Sequence, residues 1–224
     1  MLWRMDLANA TVYLDFDGTI SRRDIGVVLL EQAGTPEWRD LDDQYARGEI
    51  GSRECMVRQF GMLRGDPDEL LAIARSVPLD PGALPLIRAL QDVGADVAVV
   101  SDGFGFYVEP LLRDAGISLP VLTNAVDWTA RAMQFPNEDR CCPCSTCGTC
   151  KQAPIRDAQA QQRTTIFVGD GISDRKAALL ADVLYATGHL ADWCDDAGVP
   201  YTPFWELDDV ARSLLGMSVL GDGR

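Results

Sequence analysis

The sequence is short of histidine, of basic charge and of long apolar runs, and each shortage excludes something. One histidine, His189, stands in 224 residues. Histidine-nucleophile phosphatases and His-rich two-metal hydrolases need more imidazoles than that. No HExxH zinc motif is present. A Ser-His-Asp triad would have to use His189, and no GxSxG elbow accompanies it. Lys and Arg number 20 against 34 Asp and Glu, leaving a net charge of -14 at pH 7. General nucleic-acid binding relies on Lys and Arg to neutralise phosphates, so no nucleic-acid partner is expected. An anionic membrane surface is excluded on the same ground. No run approaches the roughly 18 apolar residues of a membrane span, and the first residues carry no apolar leader core. The chain therefore reads as cytoplasmic, where thiols stay reduced.

What is present is ordinary for a folded enzyme. Hydrophobic residues make up 47% and charged residues 24%, which is globular rather than disordered. The length fits one domain, or one domain carrying an insert. Thr11–Phe16 is β-branched and aromatic and is stopped by Asp17-Gly18, the pattern of a strand. Four helical stretches follow: Asp24–Ala33 before Gly34, Pro36–Arg47, Ser52–Leu63, and one opened by Asp66-Pro67 that runs to Val77. No strand separates them.

Beyond residue 81 the pattern changes. Gly82–Val93 is helical, Asp96–Val100 reads as a buried parallel strand, Phe104–Ala115 as a helix and Pro120–Thr123 as a strand. Val126–Phe135 suggests a hairpin. A helix over Pro154–Gln162, a strand over Thr164–Val168, a helix over 173–181, a strand over Val183–Ala186 and closing helices complete the chain, with a frayed tail from Gly216. Strands alternating with helices predict an α/β fold with a Rossmann-like parallel sheet and right-handed crossovers. Residues 1–20 and 81–224 form its core. Residues 21–80 read as a small α-helical bundle cap inserted after the first strand, and 141–150 as a Cys-rich loop within the core.

In such sheets, sites lie at the carboxyl ends of the strands. Three strands here end in chemically useful residues: Asp15-Phe16-Asp17-Gly18-Thr19, Ser101-Asp102-Gly103, and Gly169-Asp170-Gly171-Ile172-Ser173-Asp174. Asp15 is ionised at neutral pH without activation and can attack phosphorus. Asp17 can protonate the leaving oxygen, then take a proton from the water that cleaves the acyl-phosphate. A carboxylate needs charge compensation to approach a phosphate dianion, and Asp170 adds an oxygen ligand for Mg2+. Ser101 and Lys151 can hold the other phosphoryl oxygens. Gly18, Asp102 and Gly103 leave backbone N–H groups open to an anion. A DxD after a strand is common in loops; the ordered set of four motifs is what gives it weight.

That set resembles the four motifs of the haloacid dehalogenase superfamily, over residues 11–212. The helical insert resembles the cap of its phosphoserine-phosphatase-like branch. The Cys-rich run before Lys151 is similar to that of the methionine-salvage phosphatase group. The resemblance implies phosphate-ester hydrolysis of a small phosphorylated metabolite, or a mutase or phosphotransferase using the same aspartyl-phosphate. It further implies that the main-chain carbonyl of Asp17 joins Asp15 and Asp170 around Mg2+, and that Asp174 orients the metal shell or Lys151. From the cap it implies substrate contacts at Asp24 and at an Arg of the third helix, Arg58 in preference to Arg53. The shorter Asp24, where phosphoserine phosphatases carry Glu, puts an amino-acid substrate in doubt. Phe104 follows the Ser101 loop, where it lines the pocket or packs in the core.

Cys141, Cys144, Cys147 and Cys150 repeat every three residues. Four thiolates can close a structural Zn2+ site, although zinc knuckles usually sit on two separated CxxC pairs. An iron–sulfur cluster and no metal are the other readings, and a non-catalytic zinc-binding interaction module is the non-enzymatic alternative for the chain. Cys150 and Arg156 have the Cys-x5-Arg spacing of cysteine phosphatases, but Pro154 removes an N–H such a loop needs. The sequence leaves the oligomeric state open, a homodimer included.

Overall fold

The structure, a computed structural model, describes residues 6–138 and 146–220. Six parallel strands form its sheet: β1 (Ala10–Leu14), β2 (Asp96–Val100), β3 (Val121–Leu122), β6 (Thr164–Gly169), β7 (Val183–Ala186) and β8 (Thr202–Pro203), in the order β3-β2-β1-β6-β7-β8. An antiparallel hairpin, β4 (Ala125–Asp127) with β5 (Ala132–Gln134), stands apart, where the sequence suggests one. β1 is central and pairs β2 on one side and β6 on the other, with Leu14 level with both Val99 and Val168. The polar residues that follow these three strands therefore emerge together.

Helices cover both faces. α5 (Ala83–Asp92), α6 (Val108–Asp114) and α10 (Leu207–Leu215) lie on one side; α7 (Gln152–Ala160), α8 (Arg175–Ala178) and α9 (Gly188–Ala197) lie on the other. The strand period of two sorts the core. Val12, Leu14, Val97, Val99, Ile166 and Val168 face the first set of helices, while Tyr13, Ala98, Val100 and Phe167 face the second. Strands buried on both faces explain why their sequence is almost continuously apolar.

Between β1 and α5 run four helices: α1 (Ile25–Ala33), α2 (Trp38–Ala46), α3 (Ser52–Phe60) and α4 (Pro67–Arg75). α4 opens with a capping box, Asp66 accepting from the N–H groups of Asp68 and Glu69 while Glu69 answers the Asp66 N–H. The chain leaves and rejoins the core as a paired double crossing. Arg22 N–H donates to the Pro78 carbonyl (3.0 Å) and Asp80 N–H to the Ile20 carbonyl (2.7 Å). Phe60 of α3 leans on Phe104 (5.9 Å between ring centroids) and on Trp128 of the hairpin turn (5.8 Å), seating the helical block on the sheet.

Several boundaries differ from the sequence expectation. α6 begins at Val108 rather than Phe104, because Gly105 takes φ +81° against the Asn124 carbonyl and no helix passes through that backbone. α7 starts at Gln152, with Pro154 in its first turn, where the missing N–H costs nothing. The stretch 173–181 is a tight turn at Ile172–Asp174 followed by the single turn of α8. β8 carries no strand signal in the sequence.

The tail is also not frayed up to residue 220. Asp208, almost fully buried on α10, accepts from Arg212, from the Ser218 hydroxyl and from the N–H groups of Val219 and Leu220. Burial pushes its carboxyl up, but these donors outweigh it and hold the pKa down at about 2. An unfolded Asp titrates near 4. The stabilisation is therefore complete above about pH 4 and disappears as the pH falls through about 2. Asp208→Asn should melt roughly 4 °C lower at neutral pH. Melting curves against pH should show the two proteins converging across that window, and a constant gap would refute the assignment.

Candidate active site

Asp15 is the first residue past β1, and its N–H donates to the Val168 carbonyl, so the main chain leaves the sheet at a fixed point. Its side chain is 5% exposed residue-wide and meets Lys151 Nζ at 2.8 Å. Lys151 is placed as the residue that opens α7. Its ammonium lies between two carboxylates, with Asp174 Oδ1 at 2.6 Å on the other side. All three are buried. Desolvation alone would lower the lysine pKa, but Asp15 and Asp174 hold it up. Burial and the nearby Asp174 push Asp15 well above the usual carboxylate range, with Lys151 opposing.

Two residues on, the Asp17 carboxyl is held from both sides of the molecule. Ile25 N–H, at the start of α1, donates to Oδ1 (3.0 Å), and the Tyr107 hydroxyl, from the core, donates to Oδ2 (2.8 Å). Burial and the charge of Asp24 raise its pKa to about 7, against the pull of those donors. A carboxyl near neutrality suits proton transfer in either direction. Tyr107 is fully buried and its phenol is pushed far up, so it stays a donor.

The second strand brings Ser101, whose Oγ accepts from Gly103 N–H at 3.2 Å. Gly18 has φ +77°, and a Cβ there would run into the Asp170 carboxylate. Asp102 stands in the same loop, but its carboxylate is turned to other work. It accepts from Ser52 Oγ of α3 (2.6 Å), Asn124 Nδ2 (3.1 Å) and Thr149 N–H (2.7 Å). It thus ties the helical block and the segment before Lys151 to the Ser101 loop.

Asp170 follows β6 and receives Thr19 Oγ1 on its Oδ1 at 3.0 Å. Asp15, Asp170 and Asp174 each offer a carboxylate oxygen, and these lie within 4.8 Å of one another. Burial and Asp174 push the Asp170 pKa up to about 8, the mark of crowded negative charge. An all-oxygen acidic donor set suits a hard cation such as Mg2+. Asp174 is already committed, to Lys151 and to the N–H groups of Asp170 and Gly171 (3.0 and 2.9 Å). Asp15 and Asp170 are the residues fitted to hold the ion.

Asp24 borders the site: it caps α1 by accepting from Val27 N–H at 2.9 Å, and its charge raises the Asp17 carboxyl. The other sequence candidates make their contacts elsewhere. Arg58 points to Glu54 at 3.2 Å with nearly half its side chain exposed. Arg53 bridges Glu138 (2.6 Å) and the Cys147 carbonyl (3.1 Å). Phe104 is buried against Phe60. Cys141 and Cys144 lie outside the described residues. Cys147 accepts Lys176 Nζ at 3.4 Å on its sulfur, and Cys150 is buried. Arg156 sits within α7 bonded to Gln152, so the Cys-x5-Arg spacing forms no phosphate loop.

Tyr107, Asn124, Thr149 and Ser52 are parts the sequence did not disclose. Each is an ordinary helix-edge or loop residue whose partner lies 22 to 90 positions away. A cleft of about 520 Å3 opens between the helical block and the sheet. Tyr45, Arg47 and Ser52 line it on one side, Asp102, Ser173 and Arg175 on the other.

Comparison with known proteins agrees with this geometry. The family described as haloacid dehalogenase-like hydrolase matches residues 12–179. A 2-hydroxy-3-keto-5-methylthiopentenyl-1-phosphate phosphatase of Exiguobacterium sp. is 29% identical over 212 residues, covering 93% of this chain and 98% of that protein. The enzyme of that name from Bacillus velezensis is 29% identical over 207 residues, covering 91% and 88%. Among solved structures, a phospho-aspartyl intermediate analogue of phosphoserine phosphatase superposes with a TM-score of 0.71 at 18% identity, covering 92% of this chain and 98% of that one. A phosphoserine phosphatase from T. onnurineus gives 0.70 at 17% identity, covering 97% and 100%. With Asp15, Ser101 and Asp170 at three neighbouring strand ends, Lys151 paired with Asp15 and Asp174, and the family match running from β1 to the end of α8, the chain belongs to the haloacid dehalogenase-like hydrolases.

Proposed function

We propose that the chain is a Mg2+-dependent phosphomonoester hydrolase acting on a small phosphorylated metabolite through an aspartyl-phosphate. The observation that carries this reading is the Lys151 ammonium clamped between Asp15 and Asp174, with Ser101 and Asp170 at the neighbouring strand ends. Ser101 Oγ and Lys151 Nζ hold oxygens of the bound phosphoryl group. Asp15 Oδ1 stays paired with Lys151, and its other carboxylate oxygen attacks phosphorus as the ester P–O bond breaks. Asp17 gives its proton to the departing oxygen. It then takes a proton from the water that attacks the acyl-phosphate, which frees inorganic phosphate and restores Asp15. Asp15, Asp170 and the Asp17 carbonyl would hold a Mg2+, which would supply the positive charge that lets a carboxylate approach a phosphate dianion. The helical block closes the cleft over the ester and excludes water.

The substrate class is drawn from the Exiguobacterium and Bacillus relatives, whose named activity is on a phosphate ester without an amino-acid head. Arg58 and Arg53 are engaged with Glu54 and Glu138, and the cations that line the cleft are Arg47, Arg175 and Lys176. The bacterial relatives, enzymes named for a small phosphorylated metabolite, support a cytoplasmic location.

Phosphate release from a panel containing that enol phosphate, phosphoserine and an aryl phosphate, with Mg2+ and then with EDTA, tests the reading. Release that EDTA abolishes is expected, with phosphoserine among the poorest substrates. Phosphate moved to another position of the substrate instead would make the chain a mutase. Metal analysis of the purified protein decides whether the Cys-rich loop holds zinc.

A further inference from the structure

We propose that Tyr107 is a positioning residue for the Asp17 carboxyl, fixing it for proton transfer to the leaving oxygen. The inference rests on the proposed phosphatase reading and extends it to a residue outside the four motifs. Tyr107 lies just before α6, six residues beyond Ser101, and is fully buried. Its ring is packed at 5.2 Å edge-on to Phe106 and at 6.1 Å from Phe16, the residue between Asp15 and Asp17. Two aromatic contacts and complete burial leave the hydroxyl one direction, and that direction ends on Asp17 Oδ2 at 2.8 Å.

Gly103 shows that the contact is built into the loop. A Cβ at that position would lie 2.5 Å from Asp17 Oδ2, 2.7 Å from the Tyr107 oxygen and 3.5 Å from Ser101 Oγ. The absence of a side chain there is what lets phosphate-holding Ser101, Asp17 and Tyr107 converge. The opposite carboxylate oxygen of Asp17 takes the Ile25 N–H, which belongs to the first turn of the helical block. The carboxyl plane is therefore set by one donor from the core and one from the cap. A carboxyl held at both oxygens cannot rotate about its terminal bond without losing a buried hydrogen bond, so its proton is presented along a fixed line.

The hydroxyl of Tyr107 does not touch substrate, so its loss should act through Asp17 alone. The reaction needs the Asp17 proton when an alkoxide leaves, and much less when a stabilised phenolate leaves. Tyr107→Phe keeps the ring and its packing and deletes one hydroxyl. For glycerol 1-phosphate, kcat should fall by about 10-fold or more, with KM little changed; for p-nitrophenyl phosphate it should fall by less than about 3-fold. Phe106→Leu disturbs the same aromatic packing without reaching Asp17, and should lower both esters alike. Equal losses on both esters in Tyr107→Phe, or no loss on either, overturn the inference while leaving the phosphatase reading intact. Where wild type does not take glycerol 1-phosphate, the best non-aryl ester of the panel replaces it, and a wild-type protein that releases phosphate from no ester of the panel overturns that reading and the inference together. Should Tyr107→Phe not fold, Tyr107→Met supplies the same comparison, because it removes the same hydroxyl with a flexible apolar side chain that adapts to the space. The alkyl ester must again suffer more than the aryl ester, and equal losses there also overturn the inference.

Discussion

Asp15→Asn is expected to abolish phosphate release while leaving the fold at least as stable as before. The amide is nearly isosteric. Its oxygen can keep both bonds that Asp15 Oδ1 accepts, from Lys151 and from the Phe16 N–H at 2.7 Å. What is lost is the second carboxylate oxygen, the nucleophile. Removing a nucleophile from a unit of this kind costs about 10^4-fold or more in kcat. The stability argument runs the other way. Burial and Asp174 raise the Asp15 pKa, so its charge is carried at a cost in the folded state. A neutral side chain removes that cost. In metal-free buffer the variant should melt no lower than wild type. Mg2+ should raise the melting point of wild type more than that of the variant, since the variant offers the ion one carboxylate fewer. Retained activity on an aryl phosphate would remove Asp15 from its role. Lost activity with a markedly lower melting point would point to a folding defect instead.

The separation between what the sequence discloses and what it hides follows from the range of the interactions. β1, β2 and β6 are visible because strands buried on both faces must be continuously apolar, and the polar residues that stop them are the site. The four helices after β1 are visible through their caps and stops, Gly34 and Asp66 among them. The Tyr107–Asp17 bond spans 90 positions and has no local signature. In the sequence Tyr107 reads as one more aromatic on a helix face. Asp102 reads in the sequence as a residue of the phosphate loop, and nothing local discloses that its carboxylate binds Ser52, 50 positions away. Arg58 has a local partner that the family pattern does not disclose: Glu54, one turn earlier on the same helix, pairs with it at 3.2 Å. The ordered tail is hidden in the same way, since one buried carboxylate, Asp208, collects donors from the residues just beyond α10.

Lys151→Met is the substitution that should damage both activity and fold. Methionine matches the length of the lysine stem but leaves Asp15 and Asp174 facing each other in the interior with no cation between them. Breaking a buried ion pair by removing one partner typically costs about 3–5 kcal/mol. A domain of this size is stable by about 5–15 kcal/mol, so the loss is a large fraction of the whole. The metal-free variant should melt roughly 10 °C or more below wild type at neutral pH. The sign of the pH dependence separates this from a packing defect. Burial and Asp174 already push the Asp15 carboxyl above the unfolded value near 4, and loss of Lys151 removes what opposes them, so its charge destabilises the fold above that pH and ceases to do so once protonated. The gap to wild type should therefore narrow as the pH drops toward about 4, whereas a packing defect would keep it constant. Lys151→Met combined with Asp174→Asn removes one of the two stranded charges and should recover part of the lost stability. It should recover none of the activity, because the phosphoryl oxygens still lack their cation. A Lys151→Met protein that melts with wild type at pH 7 would mean that the three buried charges are not coupled as their 2.6 and 2.8 Å contacts require.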